Sequence, residues 1–245
     1  MRKSIVLICA AVSGLGYARA DTGPAPAELA AVNDTSRPKA DRDRDSAQQA
    51  VAMLKFSGAA QGKLIADFIP GGGYWTRLFS AVVGAHGRVY SMVPVPKTGV
   101  DSTDSVAIPP APRGNVKPVS VRPPEYRLPH RVDIFWTSRN FRDFYSDGRP
   151  AAQALAKAMY RNLKPGGVAI IVDHAALSSM PLQQQVRLGR IDPAIVKEDM
   201  IGAGFRLEDE STALANPADD RTKIIIDPGI KGRTDQFALK FRKPS

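Results

Sequence analysis

The 245-residue chain is basic, with 34 Lys and Arg against 24 Asp and Glu and a formal net charge of +10. Its single cysteine, Cys9, excludes an internal disulfide framework and a thiolate metal cluster. The positive charges are scattered through mixed-sign stretches such as residues 39–45, with no recognition-helix pattern and no aromatic platform beside them. This argues against nucleic acid as a partner and leaves anionic small molecules or surfaces.

Arg2 and Lys3 precede an apolar run at residues 5–12, and Ala18 and Ala20 flank Arg19 in the small-x-small pattern that a signal peptidase cleaves. Residues 1–20 therefore read as a secretory signal, too short in its apolar part to span a bilayer. Cleavage after Ala20 leaves 225 residues, a charge of +7, no cysteine and no transmembrane segment, in the periplasm or outside the cell. Residues 21–45 are polar and proline-bearing, a tail that either folds back on the domain or stays mobile. The remainder, 46–245, has the size of one domain with one core.

Within that domain the spacing of Ala47, Val51 and Leu54 predicts a helix over 47–57. Residues 63–67 (KLIAD) predict a strand, 69–74 (IPGGGY) a glycine-rich turn, 75–83 a helix and 88–93 (RVYSMV) a second strand. Together they form one βαβ unit with parallel strands. Residues 94–114 are dense in Pro, Ser and Asp and read as a surface excursion. A third strand over 115–121 contains Pro118, which suits a sheet edge. Strands at 132–137 and 168–173 (VAIIVD) bracket a helix at 151–162, and the second of them is apolar enough to be covered on both faces. A helix over 193–203 starts at Pro193 and stops at Gly204. Strands at 205–211 and 235–242 close the chain, joined by a long connection. The alternation predicts a doubly wound three-layer α/β sandwich whose mostly parallel seven-stranded sheet carries a terminal antiparallel strand.

In such a sheet, ligands bind beyond the carboxyl ends of the strands, where the strand order reverses. Gly71, Gly72 and Gly73 follow the first strand, so backbone can approach a ligand closely and the next helix start can receive a carboxylate or phosphate. Asp67 at the strand end can accept from an amine, a hydroxyl or the turn itself. The same glycines also suit an ordinary tight turn. There is no G-x-x-x-x-G-K-[ST] run, and Thr76 stands where a G-x-G-x-x-G site needs its last glycine. A second candidate is residues 137–143, just past the fourth strand: Asn140 can orient a nucleophile and Asp143 can act as a base, unless the loop merely caps the following helix. Asp173 and His174 end the fifth strand, but adjacent strand residues face opposite ways, which disfavours a relay between them. His86, His130 and His174 are isolated in sequence, so no metal site is indicated. Of the aromatic residues, Trp75 and Phe79 read as core, whereas Tyr74 and Phe141 sit in rim loops facing a ligand. Arg190, Asp192 and Lys197 either line the cleft or, for Asp192, cap a helix.

The segment Asp67 to Gly73 resembles the first motif of class I S-adenosylmethionine-dependent methyltransferases, an acid followed by x-G-x-G-x-G. GRVY entering the second strand, Asp133-Ile134 in the fourth and NLKPGG before the fifth agree with it. FIPGGGYWTR, WTSRNFRDFY, RIDPAIVK, NPADD and GRTDQFALKFRKP are similar to a subfamily of exported methyltransferase-like proteins. The resemblance implies a class I methyltransferase-type sheet, and a pocket for S-adenosyl-L-methionine formed by Asp67, Gly71, Gly72, Gly73, Tyr74 and Thr137. It implies acceptor chemistry by Asn140, Asp143 and His174, with direct displacement of a methyl group. Departures are Ile69 at the first glycine position, no carboxylate near Val93 where the family grips the ribose, and Arg122-Pro123-Pro124 after the third strand. A non-catalytic exported binding protein on the same scaffold is the alternative, while no G-x-S-x-G elbow supports hydrolysis.

Overall fold

A computed structural model describes residues 26–95 and 114–245. The expected signal and most of the excursion at 94–114 lie outside the described residues. Seven strands form one sheet: β1 (Leu64–Phe68), β2 (Arg88–Pro94), β3 (Val116–Val121), β4 (Val132–Ser138), β5 (Leu163–His174), β6 (Arg206–Ser211) and β7 (Gln236–Arg242). Their order is β3-β2-β1-β4-β5-β7-β6, with the first five parallel and β7 running antiparallel between β5 and β6. β3, the strand with Pro118, is at the edge, where the missing N–H costs no ladder bond.

Alternate side chains of each strand feed two separate cores. Ala66, Phe68, Phe135, Ala169 and Ile171 pack under α5 (Arg149–Asn162) and α7 (Pro193–Gly202). Ile65, Ile134, Trp136, Ile170 and Val172 pack on the other face against α1 (Ala27–Val32), α3 (Ala50–Ser57) and α4 (Tyr74–Val83). A short α2 (Lys39–Arg42), a 3-10 helix over Phe141–Asp147 and α6 (Leu182–Arg187) complete the described elements.

Residues 26–45, read from sequence as a polar tail, form α1 and α2 and pack onto the outer face of α4. The reason lies in α4, YWTRLFSAVV, nine of whose ten residues are buried. A helix buried on nearly all sides needs cover from a second layer as well as from the sheet. Its one charge, Arg77, is paired inside that cover, with Nε donating to Asp41 at 2.6 Å. α3 starts at Ala50, three residues later than the periodicity suggests, because Gln49 sits in the left-handed region. The LKPGG stretch, expected as a closing turn, is the start of β5. It bulges between the pairs Val132–Leu163 and Ile134–Val168.

Residues 212–234 contain no helix or strand and are anchored by a fully buried ion pair as well as by the more exposed Arg221–Asp235 pair. Arg190 donates to Asp219 at 2.9 and 3.1 Å, with the two side chains 0% and 1% exposed. The same guanidinium donates to the carbonyls of Ala175 and Lys223, so four acceptor contacts tie β5 to the connection. Arg190 and Asp219 thus form a structural pair, Asp192 caps α7 through Ala194 N–H, and Lys197 pairs with Glu210. Asp219→Ala leaves a buried guanidinium uncompensated. Its expected cost is about 3–5 kcal/mol, read as a lowered denaturation midpoint in urea.

Candidate ligand-binding crevice

The strand order reverses between β1 and β4, and the crevice opens above their carboxyl ends. The chain leaves β1 through Ile69 and Pro70 into the turn, where Gly71 and Gly73 have φ of +54° and +77°. These values carry little penalty for glycine and a substantial one for a side chain. Gly73 N–H closes the turn on Pro70 O at 2.9 Å. A Cβ at Gly71 or Gly72 would meet nothing within 4 Å, so the turn presents bare backbone to open space.

Asp67, the acid of the motif, is 2% exposed and turned to the protein. It accepts from the Thr76 hydroxyl at 2.6 Å and from the Thr76 backbone N–H, bracing the first turn of α4 from below. Burial pushes its carboxyl up to about 7, against the lowering effect of those two bonds.

The cavity over the turn measures about 210 Å³. Its walls include Gly71, Gly72, Trp75 and Asn140, together with Arg44 from the N-terminal segment and Arg139 from the loop after β4. The guanidinium of Arg44 stacks on the Tyr74 ring, 4.9 Å from its centroid. Arg139, in the left-handed region at φ +63°, donates to Gln48 at 3.2 Å. Burial and then the field of Arg44 lower its pKa. Neither arginine forms an ion pair among the described residues.

Ile69 also lines a second, larger cavity of about 560 Å³, walled by Pro94, Val95, Pro123, Pro124, Phe144 and Ala151. Arg122, Asp143 and Asp147 line it as well. β2 ends at Pro94, and neither Pro94 nor Val95, the residue after it, offers a carboxylate. Ile69 is β-branched at φ +54°, a conformation that costs about 1–2 kcal/mol.

The remaining sequence candidates divide between crevice and interior. Asn140 reaches the crevice, but its amide is spent on the carbonyls of Phe68 and Ile69, at 3.2 and 3.1 Å. Asp143 lines the apolar cavity and lies 3.5 Å from Arg142. Its partial desolvation raises the carboxyl, which Arg142 opposes. Tyr74 directs its hydroxyl to Asp45 at 2.8 Å and offers only its ring to Arg44. Thr137 is wholly buried with no partner for its hydroxyl, and lines neither cavity.

His174 is also buried away from both cavities, with Nδ1 2.7 Å from the Thr234 hydroxyl. Burial and then Arg142, Arg139 and Arg190 hold its imidazole down at about 3, so it is neutral at physiological pH. Asp173 accepts from the Arg142 backbone and side chain and from the His174 backbone, so it orients no imidazole. Phe141, expected at the rim, is fully buried and packs on Tyr145. Sequence reasoning missed Arg44 and Arg139. Only the position of Arg139, directly after β4, marks it in advance.

No protein-family model matches the chain, and no curated protein matches it in sequence. Solved structures do. An S-adenosylmethionine-dependent methyltransferase from Aquifex aeolicus matches with a TM-score of 0.53 at 16% identity, covering 89% of this chain and 97% of its own. The chain has the class I methyltransferase fold. The cyclase SpnF matches with a TM-score of 0.57 at 17% identity, covering 80% and 82% of the two chains. A protein of Bordetella parapertussis described as a possible exported protein matches at 0.50 and 16% identity, covering 83% and 68%.

The Asp67 carboxyl gives a stability test. Its folded pKa of about 7 lies above the unfolded value of 3.8, so the folded state binds the extra proton between them. Its contribution is full below the lower value and is lost as pH rises through the upper one. Asp67→Asn cannot ionise. The melting temperature of the variant relative to the parent is therefore expected to rise between about pH 5 and about pH 8.

Proposed function

We propose that this chain is an exported class I methyltransferase-like protein that binds S-adenosyl-L-methionine along the crevice. The observation that carries this reading is the bare glycine turn at the β1–β4 reversal, whose cavity shares Ile69 with an apolar cavity beyond it. An elongated ligand with a charged end and a planar ring fits that pair of spaces. The open backbone at Gly71 and Gly72 accommodates the amino acid end, and Arg44 or Arg139 supplies the cation for its carboxylate. Pro94, Pro123, Pro124 and Phe144 give the adenine an apolar enclosure.

When bound, this cofactor supplies an activated methyl group. The protein's share is to fix orientation and keep water from the reacting atoms. Asp143 is the group placed to take a proton from an acceptor, since it lines the apolar cavity and desolvation raises its basicity. Asn140 holds the end of β1 against the loop after β4 and so sets the floor on which the ligand lies. His174, neutral and bonded to Thr234, serves the packing of β5.

A second reading, a binding protein without turnover, is favoured by one feature. No carboxylate ends β2, and Asp67 is engaged by Thr76 beneath the turn, so two polar grips of the resembled family are missing. Titration calorimetry of the mature chain separates the readings. Saturable binding of S-adenosylmethionine and S-adenosylhomocysteine is expected, tightened in Ile69→Gly, which merges the cavities, and weakened in Ile69→Phe. No binding by either compound up to about millimolar concentration, roughly −4 kcal/mol, sinks both the cofactor assignment and the transferase. Binding with no methyl loss to any acceptor tried favours the second reading.

Export is supported by the three-part N-terminus and by the Bordetella neighbour. The intact mass of protein recovered from the periplasm is expected to correspond to a chain beginning at Asp21. An uncleaved N-terminus contradicts this.

A further inference from the structure

The cavity over the glycine turn holds more positive charge than a single carboxylate needs. Its ionisable walls are Arg44, Arg139, Asp67 and Tyr74, the last with its hydroxyl bonded to Asp45. Asp67 faces inward to Thr76, and burial keeps much of it protonated near neutral pH. Two arginines thus line a space of about 210 Å³ with no ion pair to either among the described residues, and Asp173, the acid whose field reaches Arg139, is bonded to Arg142. Like charges so placed repel each other, and an anion between them relieves that repulsion.

Uncharged donors stand beside them. The N–H groups of Gly71 and Gly72, in the bare turn that lines the cavity, make no hydrogen bond among the described residues. A tetrahedral dianion, with several acceptor oxygens, suits two guanidinium groups and these amides better than a zwitterionic amino acid. The amino acid would add its own ammonium to the two cations. The adjoining space is apolar and about 560 Å³, wide enough for a ring system.

We infer that the crevice takes a phosphate monoester of a planar, largely apolar group, with the phosphate over the glycine turn between Arg44 and Arg139 and the ring in the proline-walled cavity. The inference rests on the crevice being a ligand site but not on S-adenosylmethionine being its ligand. A nucleoside 5′-monophosphate is the simplest compound with this shape. A free phosphate ion shares the charged half alone.

Trp75 lines this cavity, and the chain's other tryptophan, the buried Trp136, has its ring centroid 4.7 Å away, so their emission reports binding without any assay of activity. The full mature chain is titrated with adenosine 5′-monophosphate, adenosine, inorganic phosphate and S-adenosylhomocysteine at low and moderate salt. The monophosphate is expected to bind at least about tenfold more tightly than adenosine or phosphate. Arg139→Gln and Arg44→Gln are each expected to cost it about tenfold while leaving adenosine unchanged. Arg139→Lys, which keeps the charge, retains part of the affinity, and melting curves verify that the variants fold.

Equal, arginine-dependent affinities for phosphate and its ester assign the turn to free phosphate and overturn the ester. No phosphate-dependent change in emission, or equal losses for adenosine and its monophosphate in the glutamine variants, overturns the anion site altogether. Homocysteine-compound binding without phosphate binding defeats this inference and leaves the cofactor reading standing; the reverse result defeats the cofactor reading alone.

Discussion

Everything above the sheet depends on how Asp67 meets Thr76. The two hydrogen bonds from Thr76 to this carboxyl fix the end of β1 to the first turn of α4 from below. The turn between them must therefore arch upward, and only glycine adopts its left-handed positions without penalty. The bare backbone of Gly71 and Gly72 is thus set by a buried side chain bonded to Thr76. An acid in this motif reads as a ligand contact, yet here it accepts from Thr76 and braces the first turn of α4 from within.

The N-terminal segment is the second constraint. α4 is buried on nearly every side, and the segment that covers it is held by Asp41 to Arg77 and by Asp45, which accepts from Arg37 at 2.8 and 2.9 Å and from Tyr74. Packing and recognition meet in these residues. The same stretch that completes the core carries Arg44 to the rim of the crevice, and Tyr74 presents one face of its ring to it. Loss of the segment would expose the outer face of α4 and strip the cavity of one of its two cations.

How much of this the sequence disclosed follows from the range of the interactions involved. The strands, the glycine turn and α4 were legible because alternation and turn chemistry are local signals. Pro118 at an edge and Asp192 at a helix start were legible for the same reason. The docking of residues 26–45 was not, since it rests on Asp41 finding Arg77 across 36 positions, and a charged, proline-bearing stretch looks solvated until its partner is known. Phe141 and His174 were misplaced by a related limit. A rim position along the chain does not tell which way a side chain turns, and here Tyr145 and Thr234 draw both inward. Arg139 escaped notice because an arginine in a polar loop is ordinary until it is seen to line a cavity beside Arg44.

Ile69 connects these observations. A β-branched residue at φ +54° persists only if its surroundings over-determine it. Its side chain packs against the core cluster that includes Phe68 and lines both cavities, while its N–H donates to Met92 O at 3.0 Å. Glycine at this position would remove the strain and join the two spaces, so the strain accompanies a partition. On one side lie two arginines and unpaired donors, on the other prolines and Phe144. A ligand that uses both must bend around or over this side chain. Ile69 therefore parts the two spaces by shape, and Arg44 and Arg139 mark one of them by charge. The resembled motif, with glycine where Ile69 stands, has no side chain with which to make the first of those distinctions.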